Sequence, residues 1–256
     1  MTEEHPAFLP RIIGHRGACG SAPENTLASI ARAIELGARA VEFDVTISRD
    51  GHPVVMHDFN LDRCSDGHGP VVLKTAEEIA TLDAGGWFAP EFKGEHIPLL
   101  SDALELVASK GVALNLEIKP TLGWEEPTAR AVAATLKSKW PADARILVSS
   151  MSTPALDVFG DLMPDTPLGL IVYAVPGQWR ELLDRHNCLS LHCYSAFVTK
   201  ELVDGVHASG HRLHVYTVND PVEAGALFNM GVDSVFTDHP DRLLAARIVT
   251  GKEAPR

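Results

Sequence analysis

Short runs of β-branched and apolar residues alternate with longer segments of helical period along almost the whole chain. Strands are predicted over residues 11–15, 40–47, 112–118, 145–149, 167–172, 188–192, 212–218 and 233–237. Helical patterns lie between them, among them 26–36, 128–140, 178–185, 199–208 and 222–230. End signals sharpen several of these. Asn25 or Thr26 can cap the first helix and Gly37 can close it, while Pro221 suits a first turn after Asn219 and Asp220. Eight strand–helix units predict an α/β protein with a parallel sheet, and that count favours a closed (β/α)8 TIM barrel over an open, doubly wound sheet. The open form binds dinucleotides through Gly-x-Gly-x-x-Gly after its first strand, and residues 14–20 do not supply it. The expectation is one barrel domain over residues 1–256.

One stretch breaks the rhythm. Residues 59–98 carry turn residues (Ser65-Asp66-Gly67, Gly85-Gly86) and aromatics (Trp87, Phe88, Phe92), but no unit of the repeat. They form an insertion between the second and third strands. An excursion after a barrel strand is expected on the C-terminal face, where such barrels keep their active sites. It is either a packed decoration or a lid, with Trp87 and Phe88 as roof or as local core.

Strand periodicity then collects the chemistry. Residues two apart on a strand share a face, so Glu42 and Asp44 point the same way while Val41, Phe43 and Val45 face the helices. By the same rule Asn115, Glu117 and Lys119 share a face of the next barrel strand. Carboxylates inside apolar strands are costly to bury unless paired or bound to a metal. Glu42, Asp44 and Glu117 therefore read as oxygen ligands for one divalent cation, Mg2+ or Ca2+, with a salt-bridge network through Lys119 as the plainer alternative. His15 and Arg16 follow the first strand, and His57 ends a short extended run that returns as a hairpin through Asp50-Gly51. Three carboxylates and one divalent cation leave a charge of −1, and Arg16 with Lys119 bring it to +1, which a phosphodiester monoanion would neutralise. Arginine suits bidentate contact with phosphate oxygens and lysine acts as a point charge. Two histidines of near-neutral pKa supply an acid and a base.

Composition narrows the field. With 22 basic and 34 acidic side chains the formal net charge is −12, which argues against a nucleic-acid partner held by clustered cations. At 45% hydrophobic and 22% charged the chain is an ordinary globular protein. The four cysteines, Cys19, Cys64, Cys188 and Cys193, show no Cys-x-x-Cys spacing and read as free thiols in a reducing compartment. Met1–Pro6 lacks the basic and apolar regions of a signal peptide, and no apolar run reaches the ~20 residues of a membrane span. A cytoplasmic protein with no membrane partner is expected, with a homo-oligomer left open.

In order along the chain, His15-Arg16-Gly17, Pro23-Glu24-Asn25-Thr26, Glu42-x-Asp44, Asp50-Gly51 and His57-Asp58 are followed by Leu61-Asp62-Arg63, Leu82-Asp83-Ala84-Gly85, Phe92-x-Gly94 and Ile97-Pro98. Glu117-Ile118-Lys119-Pro120, Tyr216-Thr217-Val218-Asn219 and Phe236-Thr237-Asp238-x-Pro240 complete the set. Together these motifs resemble the glycerophosphodiester phosphodiesterases of the cytoplasmic bacterial type, from Ile13 to about Pro240. The resemblance implies a (β/α)8 barrel that hydrolyses a small-molecule glycerophosphodiester to an alcohol and sn-glycerol 3-phosphate. It implies one divalent cation on Glu42, Asp44 and Glu117, His15 and His57 as acid–base pair, and Arg16 and Lys119 on phosphate. The family's two-step route implies attack by the glycerol 2-hydroxyl to give a cyclic phosphate, which water opens. Tyr216 stands where the family often has tryptophan and is expected to wall the glycerol moiety. Glu24 either orients Arg16 or marks a helix start. His192, His214 and His239 are expected to be packing or rim residues. A lyase that stops at the cyclic phosphate and a non-catalytic phosphate-binding barrel are the competing functions. A metal-dependent amidohydrolase fits less well, since the first strand lacks His-x-His.

Overall fold

The computed structural model describes residues 9–246, so the Met1–Pro6 segment lies outside the described residues. The chain opens with β1 (Ile12–Gly14), α1 (Leu27–Glu35), β2 (Ala40–Ile47), β3 (Pro53–Val55), α2 (Ala76–Ala80) and α3 (Leu100–Lys110). Regular alternation follows: β4 (Ala113–Ile118), α4 (Glu125–Lys139), β5 (Ile146–Ser150), α5 (Thr153–Leu162), β6 (Leu168–Val172) and α6 (Trp179–Arg185). It ends with β7 (Cys188–Tyr194), α7 (Lys200–Ala208), β8 (Arg212–Tyr216), α8 (Pro221–Met230), β9 (Ser234–Thr237) and α9 (Pro240–Ala245). Parallel pairing runs β1-β9-β8-β7-β6-β5-β4-β2, and a β1–β2 pairing closes the circle. It is a TIM barrel of eight parallel strands, with β3 added antiparallel to the outer end of β2 as a hairpin.

Local chemistry explains the boundaries. Thr26, rather than Asn25, caps α1 by accepting the Ser29 N–H at 3.1 Å. Asp220 caps α8, with Pro221 in the first turn. The fourth helix begins at Glu125, three residues ahead of the expected start. Pro127 falls in its first turn, where the missing N–H costs nothing, and Glu125 and Glu126 suit the dipole.

Apolar faces divide into layers. Val41, Phe43, Val45, Leu114, Leu116 and Ile118 pack outward against the helices in the main core. Leu9, Ile13, Ala40, Ala113, Leu147 and Phe236 form a separate apolar cluster inside the barrel, and Phe236 also borders the cavity at the C-terminal ends. The 59–98 excursion has its own small core of Val54, Met56, Leu61, Cys64, Val71, Ile79, Ala84 and Ile97. Above the interior apolar layer, toward the C-terminal ends of the strands, polar side chains take over. That change of layer creates the site. Among the described residues no helix is long and apolar enough to cross a membrane, and all four cysteines are free.

Candidate active site

A cavity of about 290 Å³ opens at the C-terminal ends of the strands. His15, Arg16, Glu42, Asp44, His57, Glu117, Lys119 and Tyr216 all line it. The sheet register builds the carboxylate cluster directly: Asp44 on β2 stands beside Glu117 on β4, and Glu42 beside Asn115. Oxygens of Glu42, Asp44 and Glu117 lie within 4.8 Å of one another. Glu42 and Asp44 are buried.

Lys119 forms the bridge of the plainer alternative, with Nζ 3.2 Å from Glu117 Oε1 and 3.8 Å from Asp44 Oδ1. Arg16 Nε lies 3.5 Å from Asp44 Oδ2. Asn25 braces the same carboxylate by donating from Nδ2 to Asp44 Oδ2 at 2.9 Å. Burial raises the Asp44 carboxyl, but Arg16, Lys119 and His57 outweigh it and hold the group down at about 2. Glu42 is different. It accepts the Arg16 backbone N–H at 2.8 Å, and no ion pair reaches it among the described residues. Burial and the charges of Asp44 and Glu117 push Glu42 well above the carboxylate range, and burial with Asp44 pushes Glu117 up to about 7. The network thus leaves the cluster short of positive charge. An oxygen-only set with an unmatched anion fits a hard divalent cation, whose charge would relieve this repulsion.

Each histidine is held by an aspartate. His57 Nδ1 and Asp58 Oδ1 are 2.6 Å apart, and His15 Nδ1 and Asp238 Oδ1 are 2.7 Å apart. A carboxylate at Nδ1 accepts the ring N–H there and leaves Nε2 for a substrate. Asn219 fixes Asp238 by donating from Nδ2 to Oδ2 at 2.7 Å and accepting the Asp238 backbone N–H at 2.8 Å. Arg63 fixes Asp58, with Nε 2.7 Å from Oδ2. It also donates to Glu24, with Nη1 2.7 Å from Oε2. Glu24 in turn accepts from Arg16 Nη1 at 2.6 Å. Burial raises the Glu24 carboxyl, yet Arg63 and Arg16 together hold it below its usual range. Burial draws the His57 imidazole below its ordinary range, with Arg16 and Lys119 adding to the effect and Asp44 and Asp58 opposing it.

The loop that carries His15 and Arg16 is shaped for this. Arg16 adopts a left-handed φ of 50°, and Gly17 follows at 85°. A Cβ on Gly17 would stand 2.4 Å from the Ser29 carbonyl carbon, so only glycine lets the loop pack onto α1. Arg16 Nε is buried without a hydrogen-bond acceptor, an N–H left for a ligand.

Aromatics form the far wall. Tyr173 stacks on Tyr194 with centroids 5.2 Å apart, and both line the cavity with Tyr216. The Tyr216 hydroxyl donates to the Val172 carbonyl at 2.9 Å, which leaves its ring rather than its hydroxyl as the contact surface. Several of these residues were not singled out from sequence. Asp58, Arg63, Asn219 and Asp238 sit inside the quoted motifs, but only folding reveals whom they hold. His192 lines the cavity, whereas His214 is buried behind it. No residue of the 59–98 excursion lines the cavity, Trp87 and Phe88 included; the excursion reaches the site through Arg63. A larger open groove of about 930 Å³ lies at the opposite ends of the strands, around Trp140, Ile146 and Cys188, far from this chemistry.

The model of the glycerophosphoryl diester phosphodiesterase family matches residues 15–242. The chain is 35% identical over 238 residues to a glycerophosphodiester phosphodiesterase of Caldanaerobacter subterraneus, covering 91% of this chain and 96% of that one. A solved Oleispira antarctica phosphodiesterase, in complex with the product sn-glycerol-3-phosphate, is 41% identical and aligns with a TM-score of 0.91 over 93% of this chain and 96% of its own. A glycerophosphodiester phosphodiesterase structure from Thermotoga maritima aligns at 0.75 with 27% identity, over 96% of this chain and 100% of that one. The chain belongs to the glycerophosphoryl diester phosphodiesterase family.

Proposed function

We propose that the chain hydrolyses glycerophosphodiesters to an alcohol and sn-glycerol 3-phosphate, using one divalent cation and a His15–His57 acid–base pair. The carrying observation is the convergence in one cavity of three carboxylates and two imidazoles, each imidazole oriented by its own aspartate. Glu42, Asp44 and Glu117 would hold Mg2+ or Ca2+. When bound, such an ion supplies positive charge to a phosphoryl oxygen and lowers the pKa of a hydroxyl beside it.

The chain's own groups do the rest. Arg16 and Lys119 accept the phosphodiester anion, and the Arg16 Nε–H, which faces Asp44 at 3.5 Å without a hydrogen bond, can turn to one of its oxygens. The stacked tyrosines and the Tyr216 ring confine the organic part and exclude water. One imidazole takes the proton of the glycerol 2-hydroxyl as that oxygen bonds to phosphorus. The other gives a proton to the departing alcohol oxygen as its bond to phosphorus breaks. The roles then reverse while water opens the cyclic phosphate. Asp58 and Asp238 keep each ring in the tautomer this requires and stabilise it when protonated.

The test is release of glycerol 3-phosphate from glycerophosphocholine, -ethanolamine, -glycerol and -inositol, with and without chelator. Activity on at least one substrate, lost on chelation and restored by Mg2+ or Ca2+, is expected. Activity indifferent to chelator would overturn the metal assignment, and cyclic phosphate accumulating in phosphorus NMR would overturn hydrolysis.

A further inference from the structure

We propose that His15, Cys19 and Asp238 form a metal site of their own, selective for thiophilic divalent ions such as Zn2+, and that its occupation switches the enzyme off. Among the described residues, only this cluster and the Glu42–Asp44–Glu117 cluster bring three such donors within 4.8 Å of one another. The two differ in kind. The carboxylates offer oxygen alone, which suits Mg2+ or Ca2+, whereas sulfur, nitrogen and oxygen together suit zinc and its neighbours.

The spacing is close to what coordination needs. Cys19 Sγ is 2.9 Å from Asp238 Oδ1 and 4.0 Å from His15 Nδ1, and Nδ1 is 2.7 Å from that same Oδ1. Tetrahedral Zn2+ with ordinary bond lengths sets such ligand atoms roughly 3.3–3.6 Å apart. Two hydrogen-bonded contacts must therefore open, and the sulfur–nitrogen edge must close slightly. No element has to move. The ion would take the place of the two protons that now join the three atoms.

The backbone is already committed to this arrangement. His15 donates its N–H to the Thr237 carbonyl at 2.8 Å, and Gly20 donates to the Asp238 carbonyl at 3.0 Å. A Cβ at Gly20 would fall 2.1 Å from the His239 ring, so the loop bearing Cys19 is pressed flat against the turn bearing Asp238. Asn219 clamps the outer oxygen of Asp238 from behind, as the outer partners of metal carboxylates do. All three donors are half-buried, which gives an ion a path and leaves a fourth position for water.

Binding releases the Cys19 thiol proton to solvent and shifts the His15 Nδ1 proton to Nε2 or to solvent. A ring ligated through Nδ1 keeps a fixed proton on Nε2 and can no longer act as a base. The inhibitory consequence rests on the acid–base role proposed above for His15; the binding does not. Because the ion sits behind the ring rather than in the cavity, it should lower kcat more than it raises KM.

The experiment uses the full chain with its cysteines reduced and Mg2+ or Ca2+ in excess, so that the carboxylate cluster stays loaded. Titration with Co2+ should give a thiolate-to-metal charge-transfer absorption saturating at one ion per chain, displaced by Zn2+ and absent in Cys19→Ser. Zn2+ should inhibit turnover, and Cys19→Ser should raise its half-inhibitory concentration roughly tenfold or more, each protein compared with its own rate without Zn2+. Cys19→Ala repeats the test without a hydroxyl. No absorption, or an absorption that survives in both variants, would overturn the site. Absorption without inhibition would leave the site standing and overturn the role given to His15.

Discussion

The barrel carries two pairs of histidines set in contrasting surroundings. His15 and His57 stand at strand ends, each against a carboxylate at 2.7 and 2.6 Å. His192 and His214 lie deeper, in adjacent register on β7 and β8, with ring centroids 4.7 Å apart. That inner pair hydrogen-bonds no carboxylate among the described residues. His192 Nε2 meets the Ser190 hydroxyl at 2.9 Å, and His214 Nδ1 is buried without a partner. Burial lowers His57 as it lowers the inner pair, but a carboxylate bonded at Nδ1 can stabilise the charge an outer ring takes on in turnover. Without one, burial keeps it neutral. The sharpest way to break the contrast is mutation: His15→Ala and His57→Ala should each lower kcat by about 10²–10⁴-fold. His214→Asn should keep turnover within the same order of magnitude. A collapse of activity in His214→Asn with intact folding would erase the distinction.

The inner pair makes its own prediction in stability. Burial draws His214 from 6.5 down to about 4, with Asp233 opposing and Arg212 adding to the effect. Burial, with His214 adding, likewise holds His192 well below its ordinary range. Below pH 6.5 the unfolded chain takes up protons that the folded barrel refuses, so stability falls as pH drops and levels off near pH 4. For His214 the cost approaches about 1.4 kcal/mol per pH unit inside that window, and His192 acts in the same direction. Depressed carboxylates such as Asp44 also weaken the fold in acid, so the useful quantity is the difference between proteins. Urea unfolding at pH 7, 6 and 5 should show a shallower loss for His214→Asn than for the parent. Equal slopes would mean that this ring is charged in the native state.

How much of this was legible in sequence follows from distance along the chain. The period of two on β2 and β4 put Glu42, Asp44 and Glu117 on inward faces, and all three line one cavity. That inference needed only neighbours two residues apart. Asp238 lies 223 residues from His15, and Asn25 lies 19 from Asp44; no local pattern announces either pairing. The core of the 59–98 excursion was illegible for another reason. Its apolar residues are scattered among turns, so neither strand nor helix period marks them before tertiary contacts gather them. His192 could be placed only as a packing or rim residue, because an isolated histidine on a strand says nothing of its depth. Family motifs located Asp58, Arg63 and Asn219 without disclosing their partners.

Within the outer pair the two aspartates are themselves unequal, and that gives the smallest and most discriminating test. Asp238 is fixed by the neutral amide of Asn219 and shares Oδ1 with the Cys19 thiol. Asp58 is fixed by Arg63, whose Nε and Nη2 both reach it at 2.7 and 2.9 Å while Nη1 and Nη2 hold Glu24. Both carboxyls lie far below their usual range: Asp58 through its bonds to Arg63 and His57, Asp238 through His15, Cys19 and Asn219 against the cost of burial. Asn at either position keeps the shape but removes the charge, and should lower kcat by roughly tenfold or more with little change in KM. Arg63→Ala leaves both carboxylates in place and frees them to move. Its loss should be smaller than that of Asp58→Asn, and it should appear partly in KM, because Glu24 would then hold Arg16 less firmly. If Arg63→Ala instead cost as much as Asp58→Asn, the charge on the arginine, rather than the tautomer it secures, would be the element that matters on the His57 side.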